Sequence, residues 1–225
     1  GQFPRSGGKE SPWGMRIPDW KANNRFAAYG LAPDGGGGRG SITSSFYLLV
    51  KYSYSLPLGA YVCKGNAGAT AFHPAAEGAG DRLPNDLWDF GPEPQKHCSY
   101  SYHQPFSQYP LTTSSEPGMA VAADRNPWIE SPASDGKVAK FAQFHPDGGR
   151  EAIKIGNAIQ HQEHGQNVLF LDSHVSVERN SFCGVNDDNI FTFWDGPDIR
   201  KGGLPVAGVS EPRDKLDSSL VHDGL

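Results

Sequence analysis

The clearest pattern of apolar and polar positions lies between residues 167 and 178. Residues 167–171 form a nearly continuous apolar run, and residues 174–178 alternate strictly between polar and apolar side chains. Two residues, Asp172 and Ser173, separate the two segments. This arrangement predicts a β-hairpin with a tight turn.

The same pattern predicts how the hairpin's first strand is buried. Side chains of a strand alternate between its two faces, so Val168 and Phe170 should lie opposite Leu169 and Leu171. An apolar run without alternation indicates that both faces are covered. We therefore expect Phe170 to be buried in the centre of the fold.

A helix is predicted over residues 41–52, with Ser41 as its N-cap. Its apolar residues recur at the spacing of one buried helix face, namely Ile42, Phe46, Leu49 and Val50. Three further strands are predicted at 98–102, 118–124 and 190–194, where polar and apolar residues alternate or small apolar residues cluster.

The remaining segments are rich in residues that break regular structure. We interpret residues 1–40 as an N-terminal arm of loops, residues 64–97 as a long loop insertion with one helical turn near 85–88, and residues 199–225 as an irregular tail. Large aromatic side chains of the arm should pack it onto the domain, namely Trp13, Trp20 and Phe26. The pattern predicts one α+β domain over 1–225: an antiparallel sheet with a packed helix and long irregular loops.

Composition supports a folded chain with a modest core. Hydrophobic residues make up 37%, while 28 Gly and 18 Pro shorten the regular elements. The net charge is −5 and no block of Lys or Arg occurs, so nothing predicts nucleic-acid binding. No apolar run has the length of a transmembrane helix.

The chain has three cysteines, none in a C-x-x-C spacing. Cys63 and Cys98 each lie beside an aromatic segment that we interpret as extended, at 60–63 and 98–102. We expect these two to form a disulfide and Cys183 to stay free. The alternative is three buried thiols that act as small apolar side chains.

Two groups of residues have side chains that bind metals. The first surrounds the hairpin and suits a zinc-dependent hydrolase, with His161, His164, Asp172 and His174 as candidate ligands. The alternative interpretation has Asp172 accepting backbone hydrogen bonds in the turn. The second group lies in acidic loops whose oxygen ligands suit calcium, namely Asp187, Asp188, Asp195 and Asp198. We expect any metal to be Ca²⁺ in these loops, and no cofactor to be required.

Motifs of nucleophilic catalysis are absent. The chain contains no G-x-S-x-G sequence, and no pair of carboxylates stands out as an acid and base for glycoside hydrolysis. We therefore predict no catalytic residues and expect that the protein is not an enzyme.

Several segments resemble one protein family. Residues 165–175 (GQNVLFLDSHV) and 182–192 (FCGVNDDNIFT) closely resemble the C-terminal part of prepilin-type proteins that are abundant in planctomycetes. Those proteins carry a processing-associated domain named for a His, nine residues and then Asp-Gly. Residues 1–4, 98–102 and 116–127 also resemble that family.

Two features depart from the family pattern. Ten residues separate His161 from Asp172, and Ser173 occupies the position of the family's Gly. The family's apolar N-terminal helix, which serves membrane storage, processing and filament assembly, has no counterpart in this sequence. The resemblance therefore implies a pilin-like headgroup without that helix.

The resemblance implies a structural function. We expect a pilin or pseudopilin headgroup, located outside the cell or in the cell envelope, that assembles with other pilin-like subunits in a filament or secretion apparatus. Contact with the membrane would come only through the absent helix. Two alternatives remain: a secreted module that binds surface glycans with exposed aromatics such as Trp88, and the hydrolase at His161, Asp172 and His174.

Overall fold

Five short strands form one antiparallel sheet in the computed structural model, which describes residues 1–53, 57–133 and 135–224. The hydrogen-bonded order is β4-β3-β2-β1-β5. The strands are β1 (Tyr100–His103), β2 (Ala120–Asp124), β3 (Gln166–Phe170), β4 (Val175–Glu178) and β5 (Leu220–Val221). The helices are α1 (Arg25–Tyr29), α2 (Ile42–Ser53) and α3 (Arg150–Lys154).

Short 3₁₀-helices lie in the segments between these elements. They span Leu58–Tyr61, Pro84–Asp86, Pro94–Lys96, Val138–Gln143, Ile159–His161 and Val185–Asp187. The antiparallel sheet with a few helices agrees with the predicted α+β class.

The predicted hairpin is confirmed as the β3–β4 pair. Val168 pairs with Ser176, and Leu169 pairs with Val175. The connection is longer than predicted, because the strands stop at Phe170 and resume at Val175. Ser173 adopts a left-handed conformation in this turn, with φ of 75°.

The central strands are covered on both faces, as the apolar run predicts. Val168 and Phe170 pack with the buried rings of Trp128 and Phe191 on one side of the sheet. Leu169 and Leu171 pack in a second apolar cluster on the other side. The prediction that Phe170 is buried is confirmed.

Helix α2 contributes to this second cluster and begins where predicted. Ser41 caps it, because the Ser41 Oγ accepts a hydrogen bond of 3.0 Å from the Ser44 amide. Ile42 packs in the second cluster and Val50 in a third, aromatic one, while Phe46 contacts both.

A buried carboxylate from the tail also holds the start of α2. Asp223 accepts hydrogen bonds from the amides of Ile42 and Thr43, at 3.0 and 2.8 Å, and from the Trp13 indole at 2.7 Å. A negative charge at a helix N-terminus is favourable, but burial raises the pKa of Asp223. The tail is thus part of the core, contrary to the expectation that 199–225 is irregular throughout.

The prediction of a strand at 190–194 is wrong, and the tail supplies the strand instead. That segment forms turns, and Leu220–Val221 supplies strand β5 beside β1 instead. The apolar side chains of Ile190 and Phe191 are buried with Trp128 in the core, although this segment lies outside the sheet. Apolar side chains alone do not distinguish a strand from a buried turn.

The arm and the insertion pack against the sheet through aromatic side chains. Trp13 is buried and Trp20 packs on the aromatic cluster, as predicted, but Phe26 is exposed on the short helix α1. Trp88 is buried, and its indole donates a 2.8 Å hydrogen bond to the Ala22 carbonyl. Trp88 therefore cannot stack on a glycan, and the turn predicted at 85–88 is the 3₁₀-helix Pro84–Asp86.

Candidate functional site

One cluster of metal-binding side chains stands out among the described residues: Cys63, Asp124 and His161. One ligand atom from each of the three lies within 4.8 Å of the other two. The His161 Nε2 is 3.1 Å from the Asp124 Oδ2 and 3.8 Å from the Cys63 Sγ. No other group of three or more His, Cys, Asp or Glu ligands occurs at this spacing in the described ranges.

Three separate segments bring these side chains together. Cys63 follows the 3₁₀-helix Leu58–Tyr61, Asp124 is the last residue of β2, and His161 ends the 3₁₀-helix Ile159–His161. The Tyr61 carbonyl accepts a 2.7 Å hydrogen bond from the Ser99 amide, which ties the Cys63 segment to the start of β1.

Gly65 allows the Cys63 loop to lie directly on the His161 segment. A Cβ atom at position 65 would be 2.3 Å from the Gln160 carbonyl oxygen, a distance that no side chain tolerates. The absence of a side chain is therefore required for this close approach. Gly65 positions Cys63 within reach of His161.

Gln160 fixes the His161 segment to the sheet. Its side-chain amide donates a 2.8 Å hydrogen bond to the Ser99 carbonyl, and its side-chain oxygen accepts a 3.1 Å bond from the Arg125 amide. Gln160 is buried, so these bonds are shielded from water. His161 is thereby held beside the end of β2.

Asp124 is the buried member of the cluster. Its Oδ2 accepts hydrogen bonds from the amide and the side-chain nitrogen of Asn167, at 2.7 and 3.1 Å. Burial raises the pKa of Asp124, while the Asn167 bonds and the nearby His161 oppose that rise. The Asp124 Oδ1 is buried without a hydrogen-bond partner among the described residues.

The geometry differs from that of a Cys-His-Asp catalytic triad. In a triad one ring nitrogen of the histidine faces the nucleophile and the other faces the carboxylate. Here the Nε2 of His161 faces both Cys63 and Asp124. The three ligand atoms lie within 4.8 Å of one another around this nitrogen, so they are not arranged as a catalytic triad.

The predicted histidine group is not brought together. Asp172 and His174 pair with each other in the exposed hairpin turn, at 2.5 Å between the Oδ1 and the Nδ1. His164 lines a separate cleft with Lys154 and Arg179. Since His161 lies with Asp124 instead, the hydrolase expected at His161, Asp172 and His174 has no common site.

Asp172 has the backbone contact that the alternative interpretation gives it. Its Oδ1 accepts a 3.1 Å hydrogen bond from the His174 amide. This bond and the His174 side chain lower the pKa of Asp172. The carboxylate therefore stabilises the turn.

The four aspartates of the expected calcium site are not brought together either in the described part of the chain. Asp188 points inward, where its two oxygens accept hydrogen bonds from the Trp194 indole at 2.6 Å and the Ser218 amide at 2.7 Å. Burial and the neighbouring Asp217 raise the pKa of Asp188 to about 8. Asp188 therefore faces the protein interior and not the other aspartates of the expected site.

The other three aspartates of that prediction do not converge. Asp198 pairs with Arg200 at 3.0 Å, while Asp187 and Asp195 are exposed on different loops. Arg200 also contacts Asp147 at 2.7 Å. The cation that neutralises Asp198 is therefore an arginine of the chain itself.

The expected disulfide between Cys63 and Cys98 is not formed, and all three cysteines are free thiols. The segment before Cys63 is a 3₁₀-helix that ends at Tyr61 and not the expected strand. The Cys63 side chain contacts His161 instead of Cys98. Cys98 is buried in the aromatic cluster, and burial raises the pKa of its thiol to about 12. Cys183 is free, as predicted.

Sequence reasoning found His161 but missed its two partners. Cys63 was assigned to a disulfide and Asp124 to the end of a strand. Neither lies at a motif spacing from His161, so no local pattern predicts the cluster. The one signal in the sequence is that Asp124 directly follows the small apolar run of β2. A carboxylate at this position is buried with the end of the strand.

Comparisons with known proteins do not identify the chain. Neither a protein family, nor a curated protein, nor a solved structure matches it. In the described part of the chain, no helix combines the length and the apolar character needed to cross a lipid bilayer.

Proposed function

We propose that the chain is the non-catalytic headgroup of a pilin-like protein that assembles with further copies of itself at the cell surface. One observation carries this proposal. The segment that resembles prepilin-type proteins, residues 98–192, supplies four of the five strands as consecutive neighbours in the order β4-β3-β2-β1. The resemblance therefore follows one continuous structural unit and not scattered fragments.

An edge strand offers a surface for contact between subunits. Strand β4 is at the end of the sheet order, and its Val175 and Val177 side chains are 66% and 71% exposed. Exposed apolar residues on an edge strand favour association with another chain. A neighbouring copy would cover these valines in a filament.

Immunogold electron microscopy tests the proposal. Antibodies against the purified chain, applied to cells that carry its gene, should label extended surface filaments. Val177→Lys should reduce incorporation into filaments, whereas Val209→Lys, at an equally exposed valine outside the sheet, should not. Label without filaments, or filaments that both variants enter equally, would contradict the proposal.

A groove favours glycan binding as a second candidate function. Its volume is about 530 Å³, and its walls include Phe106 and the amide side chain of Gln108. Aromatic rings and polar groups together suit a sugar. A glycan-array signal that Phe106→Ala abolishes would support this function. Phe106 replaces Trp88 as the tested aromatic residue, because Trp88 is buried.

A further inference from the structure

Two distances within the cluster of Cys63, Asp124 and His161 are close to the edges of a zinc tetrahedron. Zinc binds nitrogen and oxygen at about 2.0–2.1 Å and thiolate sulfur at about 2.3 Å, so tetrahedral ligands lie about 3.3 Å (N to O) and about 3.6 Å (N to S) apart. The observed separations are 3.1 Å between His161 and Asp124 and 3.8 Å between His161 and Cys63. The ligand atoms of Cys63 and Asp124 lie within 4.8 Å of each other, so all three atoms surround one possible cation position.

The Nε2 of His161 faces the Asp124 carboxylate and lies 3.2 Å from the Asn167 side-chain nitrogen, which itself donates to the Asp124 Oδ2. This ring nitrogen can either donate a proton to the carboxylate or bind a cation through its lone pair. A cation that binds the lone pair at this position is also within reach of the carboxylate oxygen.

The Asp124 carboxylate has an unmet interaction. Its carboxyl group is buried, and the Oδ1 has no partner among the described residues. A buried carboxylate with one unpaired oxygen is costly, even with two Asn167 hydrogen bonds and a half-exposed histidine at its other oxygen. A divalent cation at the Oδ2 would supply the missing positive charge.

The donor set selects the kind of metal. A thiolate, an imidazole and a carboxylate suit a borderline-soft ion such as zinc, while calcium and magnesium prefer oxygen ligands alone. Three protein ligands leave one tetrahedral position. Cys63 and Asp124 line a cleft of about 270 Å³ with Leu169 and Val175 at its wall, which has room for a water molecule.

We propose that Cys63, Asp124 and His161 bind one Zn²⁺ ion, with water from the adjoining cleft as the fourth ligand. Asn167 positions the Asp124 oxygen through two hydrogen bonds. The Cys63 thiol releases its proton to solvent when its sulfur binds the ion. The ion joins the loop after Leu58–Tyr61, the end of β2 and the 3₁₀-helix Ile159–His161. The assignment of this site does not rest on the pilin-like function proposed above.

Calorimetric titration of the purified chain with zinc chloride tests the site. We expect one equivalent of zinc to bind, with release of protons, and to raise the thermal unfolding midpoint, because zinc binds the folded state. Cys63→Ser and His161→Gln should each weaken binding by more than about tenfold. Binding should weaken as pH falls, since protons compete for the thiolate and the imidazole.

Matched controls separate this site from the other histidines and cysteines. His174→Ala and Cys183→Ser should bind zinc as the unsubstituted chain does. Urea unfolding in the presence of a chelator shows whether Cys63→Ser and His161→Gln still fold, and a circular dichroism spectrum checks each variant. The proposal is overturned if the unsubstituted chain binds no zinc, or if folded Cys63→Ser and His161→Gln bind it with unchanged affinity.

Discussion

Two Asp–His pairs in the described part of the chain have different surroundings. Asp172 and His174 are two residues apart in the hairpin turn, and their side chains are 47% and 53% exposed. Asp124 and His161 come from distant segments, and the Asp124 side chain is fully buried while that of His161 is 38% exposed. The exposed contact is the shorter one, at 2.5 Å against 3.1 Å, but only the second pair has a third possible ligand beside it, Cys63.

Proximity in sequence therefore does not decide which pair is a candidate site. Water solvates both exposed side chains of the turn, so their attraction contributes little. At the end of β2, burial removes water from Asp124 and leaves its charge dependent on the few groups around it. Asp124, which the fold brings to Cys63 and His161, therefore keeps an unpaired oxygen among the described residues.

The largest effect on stability is expected at Phe170, whose ring contacts His174 of the exposed pair. Phe170 is buried and its ring stacks on His174, with 4.5 Å between ring centres. Phe170→Ala should lower the free energy of unfolding by about 3–5 kcal/mol, because it leaves a cavity between the sheet and Trp128. Urea denaturation measures this change.

The matched variant for the hairpin is Val177→Ala, which shortens an exposed apolar side chain of β4. It should change stability far less than Phe170→Ala. If the two variants have equal effects, then the hairpin is stabilised by something other than burial of Phe170.

The second effect concerns the buried pair. Asp124→Ala removes the acceptor of two Asn167 hydrogen bonds. Leaving these donors without a partner should cost about 1–3 kcal/mol in chelator-treated protein. The measurement is urea denaturation at neutral pH. An unchanged midpoint would show that Asn167 finds other partners and that Asp124 is not structurally required.

Asp188 extends the comparison, because it is buried and pairs with no cation in the described part of the chain. The free energy of unfolding should depend on pH through this residue. Burial, with Asp217 nearby, raises the pKa of Asp188 to about 8, while an unfolded Asp titrates near pH 4. Between these values the folded state holds a proton that the unfolded state has lost. The free energy of unfolding should therefore fall as pH rises from about 4 to about 8, by at most about 1.4 kcal/mol for each pH unit.

Asp188→Asn should flatten this slope, although the loss of one acceptor lowers stability at acidic pH. Asp187→Asn, at the exposed neighbouring residue, should leave the slope as it is. Urea denaturation at a series of pH values compares the three proteins. Parallel curves for all three would mean that Asp188 titrates normally in the folded protein.

The smallest effect is expected at the exposed pair. Asp172→Ala removes an ion pair between two solvated side chains, which contributes little, together with the exposed hydrogen bond from the His174 amide. The urea midpoint should fall only slightly, and by the same amount at low and at high salt. A clear loss of stability that salt suppresses would show that the exposed pair matters more than its surroundings suggest.

Sequence reasoning predicted the elements whose residues interact locally. The hairpin, helix α2 and the strands at Tyr100–His103 and Ala120–Asp124 follow from alternation, apolar spacing and a serine cap. The last strand was missed, because Leu220–Val221 has only two residues and is specified by its partner β1. Pairing between distant segments leaves no local pattern.

The candidate site was predictable only in part for the same reason. His161 could be recognised as a ligand from its residue type, but Cys63 and Asp124 are joined to it by the fold alone. The contacts that unite them depend on Gly65 and Gln160, neither of which belongs to a recognisable motif.

The optical spectrum of the cobalt-substituted protein tests most directly whether the buried pair, and not the exposed one, is a metal site. Cobalt occupies zinc sites, and its spectrum reports both the coordination number and a thiolate ligand. We predict intense tetrahedral bands and a sulfur-to-cobalt charge-transfer band in the unsubstituted chain and in His174→Ala, with the charge-transfer band lost in Cys63→Ser. A weak octahedral spectrum, or a charge-transfer band that persists in Cys63→Ser, would contradict the account.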